Sequence, residues 1–292
     1  MRKFKEYNPV TVAFYYLTVV MVSMFTMNPV LHLFTFFAGF IQFTMQKVNK
    51  KAVTHMFFFA LGLILALIRP LFSHNGATVL FAINDNPITL ESFMFGVNSA
   101  VMVVGVLYLF RVFSNIMTSD RLLYLFGSLS PKAALIITMG LRYIPLLRAK
   151  NREIHNAQTA IGINRDDNVI DRMKGRLNVF SATVSWGLEN GIITADSMAA
   201  REYGKHKRTR FSIFSFTAGD IIILALITAL IMTTIVSLAF GRYDTVFYPY
   251  FEMAESTGLG ISGYITYAIL AMMPVAIDSA ESIRWKYLVS KV

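Results

Sequence analysis

Residues 131 to 210 read PKAALIITMGLRYIPLLRAKNREIHNAQTAIGINRDDNVIDRMKGRLNVFSATVSWGLENGIITADSMAAREYGKHKRTR. The stretch is too polar to cross a bilayer and too apolar to be loop, which makes it a pair of long amphipathic helices. The break falls at Gly162 to Asn168, where Gly162, Asn164, Asp166, Asp167 and Asn168 supply residues that stop one helix and cap the next. The first helix starts after Pro131 and carries Leu135, Ile136, Met139, Tyr143, Ile144 and Leu147 at three- and four-residue steps. A narrower stripe of Ile154, Ala157 and Ile161 continues it. The second helix has Met173, Leu177, Phe180, Val184 and Leu188 on one side, and Gly187, Gly191, Ala195 and Ala199 four apart beside them. Small residues at that spacing serve ordinary bundle packing or a crossing in which two backbones touch. In the second case Gly191→Leu is expected to disrupt the crossing.

Outward from this pair the chain becomes apolar. Of its 292 residues 55% are hydrophobic and 15% charged, so a soluble domain of this length would lack polar surface, and the chain is an integral membrane protein. Six spans are expected: Val10 to Met27, Val30 to Met45, His55 to Phe72, Phe93 to Phe113, Ile221 to Phe240 and Ile261 to Ala276. The first follows Arg2, Lys3 and Lys5 but shows no cleavage site, so it reads as a retained span. Arg69-Pro70 marks a kink or exit, and Thr78 to Ile83 a short extended or interfacial piece. The fold class is thus all-α, with membrane domains at 1–130 (four spans) and 211–292 (two spans) and a helical domain at 131–210 between them.

The net charge of +10 fits the excess of Lys and Arg that cytoplasmic loops carry, rather than nucleic-acid binding. Ser73 to Glu91 holds no Lys or Arg and the loop after span five holds only Arg242, which places both outside. The clusters at Lys47, Lys50 and Lys51, at Lys205, Lys207, Arg208 and Arg210, and at Arg284, Lys286 and Lys291 then lie inside, together with both termini and residues 131–210. Residues 122–129 and 133–147 are apolar enough to dip into the membrane.

Chemistry is sparse. There is no cysteine, and the five histidines (His32, His55, His74, His155, His206) sit apart, with no ligand at helix spacing, so no metal site is expected. HExxH, GxSxG and Walker motifs are missing, so the chain has no expected catalytic residues and does not hydrolyse ATP alone. Asp220, Asp278 and Glu281 lie near span ends, not at mid-membrane where a proton- or sodium-driven carrier keeps its ionisable groups. A membrane-embedded enzyme would have to draw on Glu153, His155, Asp196 and nearby arginines at the cytoplasmic face; a passive scaffold would need none of these. The remaining reading is a chain that borrows energy from a partner by laying helix ends into the partner's groove.

Three segments carry a resemblance: Met139-Gly-Leu-Arg142-Tyr-Ile-Pro145-Leu, Ala157-Gln158-Thr-Ala160-Ile161-Gly162, and Ala195-Asp-Ser-Met198-Ala-Ala200-Arg201-Glu202-Tyr203-Gly204. Across residues 139 to 215 the chain resembles the transmembrane T component (EcfT/CbiQ-like) of energy-coupling factor (ECF) importers, a class of ABC transporter. The resemblance implies two coupling helices, each ending in an Ala-Arg-Gly-like signature that docks on one or two ABC-type ATPases. It also implies a small membrane S component that binds a vitamin, metal ion or similar micronutrient, and ATP and magnesium held by the ATPases, with no cofactor in this chain. A multi-pass protein of a prokaryotic cell membrane follows. The signatures fall on Ala160-Ile161-Gly162, where Ile161 replaces the arginine, and on Ala200-Arg201-Glu202, where Glu202 replaces the glycine. An apolar Ile161 makes no charge-assisted hydrogen bond, so that end docks through apolar contact or through Arg165, and the pair fits two non-identical ATPases.

Overall fold

The computed structural model describes residues 3–46, 51–72, 76–83, 86–162, 169–203, 214–241, 243–253 and 258–290. Outside them lie Lys47, Lys50, His74, Asn164 to Asn168 with Arg165, Gly204 and the cluster from Lys205 to Arg210, Arg242 and Lys291. Nine α-helices are described: α1 (Pro9–Phe25), α2 (Pro29–Met45), α3 (Lys51–Phe72), α4 (Leu90–Ile116), α5 (Ser119–Leu129), α6 (Pro131–Ala160), α7 (Val169–Ala200), α8 (Ala218–Ala239) and α9 (Gly258–Val289). Two antiparallel strand pairs, β1 (Val79–Ile83) with β2 (Asn86–Thr89) and β3 (Thr245–Val246) with β4 (Glu252–Met253), stand at the loops read as outer. The all-α membrane architecture expected from composition is what the chain adopts.

Local chemistry places the helix starts. Asn8-Pro9 and Asn28-Pro29 use one device twice: the asparagine side chain accepts from the N–H two residues on, at 3.0 Å in both, and proline takes the first helical position. Asp220 sits in the first turn of α8 and accepts from the Thr217 N–H at 2.9 Å and from the Asn8 N–H at 2.7 Å. One carboxylate therefore joins the starts of α8 and α1. At its far end α9 runs thirteen residues past the expected stop at Ala276, through Pro274, to Val289. A missing N–H loosens a helix without ending it when neighbours serve the freed carbonyls.

Contacts divide the chain into two units, residues 1–122 with 214–292 and residues 123–213, so most of α5 falls with α6 and α7. In the first unit α4 packs on α2 and α3, while α9 packs on α2 and α8. Glycine sets the α2–α4 spacing: a Cβ on Gly105 would stand 3.1 Å from the Phe36 Cα, and one on Gly39 would stand 3.1 Å from the Gly105 carbonyl oxygen. Several polar side chains inside this unit have partners, while Thr11 Oγ1 and Ser23 Oγ have none among the described residues. His32 faces Asn98 Oδ1 at 2.8 Å and the Thr26 carbonyl at 3.0 Å. Thr35 meets the Tyr267 hydroxyl at 2.6 Å, and Asn28 donates to the Tyr264 hydroxyl at 2.6 Å. The Tyr15 hydroxyl donates to the Ala271 carbonyl at 2.8 Å, next to the interruption at Pro274.

Helices α3, α4, α8 and residues 260–289 of α9 are long and apolar enough to cross a membrane. At 17 residues each, α1 and α2 span only roughly 26 Å, and they sit in the packed centre with Val12, Tyr15, Val19, Leu31 and Ala38 buried. On α3 the reverse holds: Met56, Phe57, Phe59 and Phe72 are all at least 62% exposed. A surface of that kind belongs in lipid, and the chain is a multi-pass membrane protein.

Candidate functional site

In the second unit α6 and α7 run antiparallel. The Asn151 side chain donates to Thr183 Oγ1 at 3.2 Å, Leu147 lies against Gly187, and the Tyr143 hydroxyl donates to the Asn190 carbonyl at 3.3 Å and meets Thr194 Oγ1 at 3.0 Å. Each step back along α6 is thus a step forward along α7. Lys150 reaches over the Trp186 ring at 5.6 Å and pairs with the exposed Glu153 at 3.0 Å.

The packed row of α7 is Gly175, Val179 and Thr183, followed by Gly187. A Cβ at Gly187 would stand 3.0 Å from the Leu147 methyl, so the close approach is there. Gly191 has no atom within 4 Å of its missing Cβ, and with Ala195 and Ala199 it lines an apolar groove of about 470 Å³ shared with Leu135, Met139, Tyr143 and Tyr203. Of the expected crossing residues Gly187, Gly191, Ala195 and Ala199, the close approach is at Gly187, and the other three line the groove. A second groove of about 520 Å³, lined among others by Leu147, Phe180, Val184 and Leu188, lies along the same pair.

The apolar stripe Met173, Leu177, Phe180, Val184 and Leu188 faces outward, each residue at least 42% exposed, and among the described residues α6 buries none of its own. Periodicity identified the apolar face; within the α6–α7 pair no described residue covers it.

Both helices end on one backbone design. After α6 the Ile161 N–H donates to the Ala157 carbonyl and the Gly162 N–H to the Thr159 carbonyl at 3.0 Å, with Gly162 at φ +80°. After α7 the Glu202 N–H donates to the Ala199 carbonyl at 3.0 Å and the Tyr203 N–H to the Met198 carbonyl at 3.1 Å, with Glu202 at φ +54°. These are left-handed helix stops, in which glycine is the usual occupant. Glu202 is the non-glycine with positive φ among the described residues, and such a residue costs about 1 kcal/mol or more relative to glycine. Ile161 is 74% exposed, and Ala160, Arg201 and Glu202 are exposed too.

The register places Ala200 beside the start of α6, so Ala160-Ile161-Gly162 and Ala200-Arg201-Glu202 stand at opposite ends of the pair, on the order of 40 Å apart along α6. The structure does not gather Glu153, His155 and Asp196. The same register sets Asp196 against the first third of α6, roughly 20 Å from Glu153, and no group of three His, Cys, Asp or Glu able to hold a metal occurs among the described residues. Tyr143, Asn151 and Thr183, which hold the pair together, were not singled out from the sequence for that role. Their bonds depend on a register between two helices that no local pattern fixes.

No family model matches the sequence. The chain is similar to the energy-coupling factor transporter transmembrane protein EcfT 1 of Listeria monocytogenes serotype 1/2a (strain 08-5578), at 30% identity over 174 residues. The match covers 53% of this chain and 64% of that relative, so the chain spans less than two thirds of the relative's length. The resemblance to the T component is borne out as a similarity to that relative.

Proposed function

We propose that this EcfT-like chain is the membrane coupling subunit of an energy-coupling factor importer, with both termini and the α6–α7 pair on the cytoplasmic side of a prokaryotic cell membrane. The observation that carries this reading is the pair of like-built, exposed helix ends set far apart on a held crossing. That is the form of a lever with two points of attachment. One or two ABC-type ATPases would bind ATP and magnesium and grip the ends at Arg201 and Ile161. A change in the distance between the ATPases then alters the angle of α6 and α7 about Gly187 and Tyr143. A small S component carrying a vitamin, a metal ion or a similar micronutrient would receive that motion, and it would take its place against the apolar face of Phe180, Val184 and Leu188, which are exposed among the described residues.

Arg201 supports the reading by position. It follows the last turn of α7, where a cation is favoured by the helix dipole, and it is exposed for a charge-assisted bond to a partner carboxylate. The test is Arg201→Ala in the tagged full chain, isolated gently from its own membranes. ABC-type ATPases and a small hydrophobic protein should accompany the wild type, and the ATPases should be lost or uptake uncoupled in the variant, with the membrane helices intact. Unchanged assembly and transport would refute the coupling role. The enzyme reading has no convergent site on the α6–α7 pair, and turnover by the purified chain alone would revive it.

A further inference from the structure

Helix α9 is longer than a membrane is thick. Its 32 residues make roughly 48 Å of helix, while the apolar layer of a bilayer measures about 30 Å. Counted from Ile261, at the end read as outer, about twenty residues cross that layer and bring the helix to Ala280. The packing changes near the same depth. Tyr267, Leu270 and Ala271 are fully buried in the membrane unit, whereas every residue from Ser282 to Val289 is exposed.

Residues 282–289 read SIRWKYLV. Ile283, Trp285, Tyr287, Leu288 and Val289 are each at least 50% exposed, and the charged residues are Arg284 and Lys286. At about 100° per residue, Ile283 and Trp285 point roughly 200° apart, and so do Arg284 and Lys286. Neither class gathers into a stripe. Water is a poor surrounding for so much apolar surface, and a protein groove takes a helix by one apolar face. The lipid headgroup layer accepts both classes from every side: aromatic rings settle at that depth, and Lys and Arg stretch from it towards phosphate.

We propose that residues 282–289 form an anchor in the headgroup layer and bind anionic lipid through Arg284 and Lys286. The occupant follows from charge, since the segment carries two cations and no acid. Asp278 lies further in, where it accepts from the Phe4 N–H at 2.8 Å. The anchor fixes the depth of α9, and with it the level at which Tyr264, Tyr267 and Ala271 meet α1 and α2. It goes beyond the coupling reading and does not depend on it.

The chain has two tryptophans, so Trp186→Phe leaves Trp285 as a single reporter. That full-length variant is to be placed in nanodiscs of phosphatidylcholine with a minority of phosphatidylglycerol. Equal amounts of bromine are carried near the headgroup of one lipid or of the other. Bromine on the anionic lipid should quench Trp285 as if that lipid were enriched about fivefold around it, and high salt should shrink the difference. Arg284→Gln combined with Lys286→Gln should bring the enrichment to unity at an unchanged melting temperature, because both side chains are exposed. A lowered melting temperature would mean that these charges serve contacts inside the chain, and equal quenching by the two lipids would mean that charge selects nothing; each overturns the anionic site. Quenching by aqueous iodide in place of lipid would put Trp285 in water. Shielding from both quenchers would put it against protein, and either result would overturn the anchor.

Discussion

The membrane unit and the α6–α7 pair use opposite economies of contact. In the first, helices touch through glycine and many inner polar groups are answered within the unit: Asn98 answers His32, Tyr267 answers Thr35, and the Ala271 carbonyl answers Tyr15. In the second, two helices of 30 and 32 residues meet along one row and leave large apolar side chains outward. The first unit is organised around itself. The second keeps its largest apolar side chains on its surface.

That contrast can be broken most severely at Gly105. Gly105→Leu places a branched side chain against the Phe36 backbone, and the expected loss is about 3 kcal/mol, seen as a collapse of the thermal transition in detergent. A wild-type transition would show that α2 and α4 are less tightly packed than the glycine contacts imply. A middle-sized effect is expected at Tyr143, whose hydroxyl bridges to Asn190 and Thr194. Tyr143→Phe should cost about 1 kcal/mol and loosen the pair, so that cysteines introduced at positions 151 and 183 cross-link less completely. A double-mutant cycle with Thr194→Val checks whether the two side chains share that energy. The smallest effect belongs to Gly191→Leu, where open groove replaces a backbone contact. Its stability should stay within about 0.5 kcal/mol of wild type, and a larger loss would move the crossing back toward Gly191.

Much of this was legible in the residues. Hydrophobic runs located the six apolar helices to within a few residues at most ends, because a helix in lipid needs a continuous apolar stretch that soluble segments lack. The long pair was legible from Leu135 to Leu147 and from Met173 to Leu188, since three- and four-residue spacing reports one apolar face. The same spacing is silent on what covers that face, and so Met173, Leu177 and Phe180 look outward while the inconspicuous Gly175, Val179 and Thr183 pack. Gly191 and Gly187 are equivalent in a one-dimensional pattern; the divergence of two helices distinguishes them. The overrun of α9 past Ala276 was hidden because Asp278, Glu281, Arg284 and Lys286 end the apolar run, while the helix itself continues to Val289. At the candidate site the ends of α6 and α7 were found by resemblance. The left-handed state of Glu202 was not, because glutamate gives no local cue to that backbone.

Three bonds to α9 also set an order of assembly. Tyr15, Asn28 and Thr35 precede α9 by more than 220 residues, and each meets an oxygen of Tyr264, Tyr267 or Ala271. During biogenesis these hydroxyl and amide groups enter the bilayer long before their partners leave the ribosome. Until α9 inserts, α1 and α2 carry polar groups that lipid cannot satisfy. Arrival of α9 is therefore what completes the polar pairing of α1 and α2.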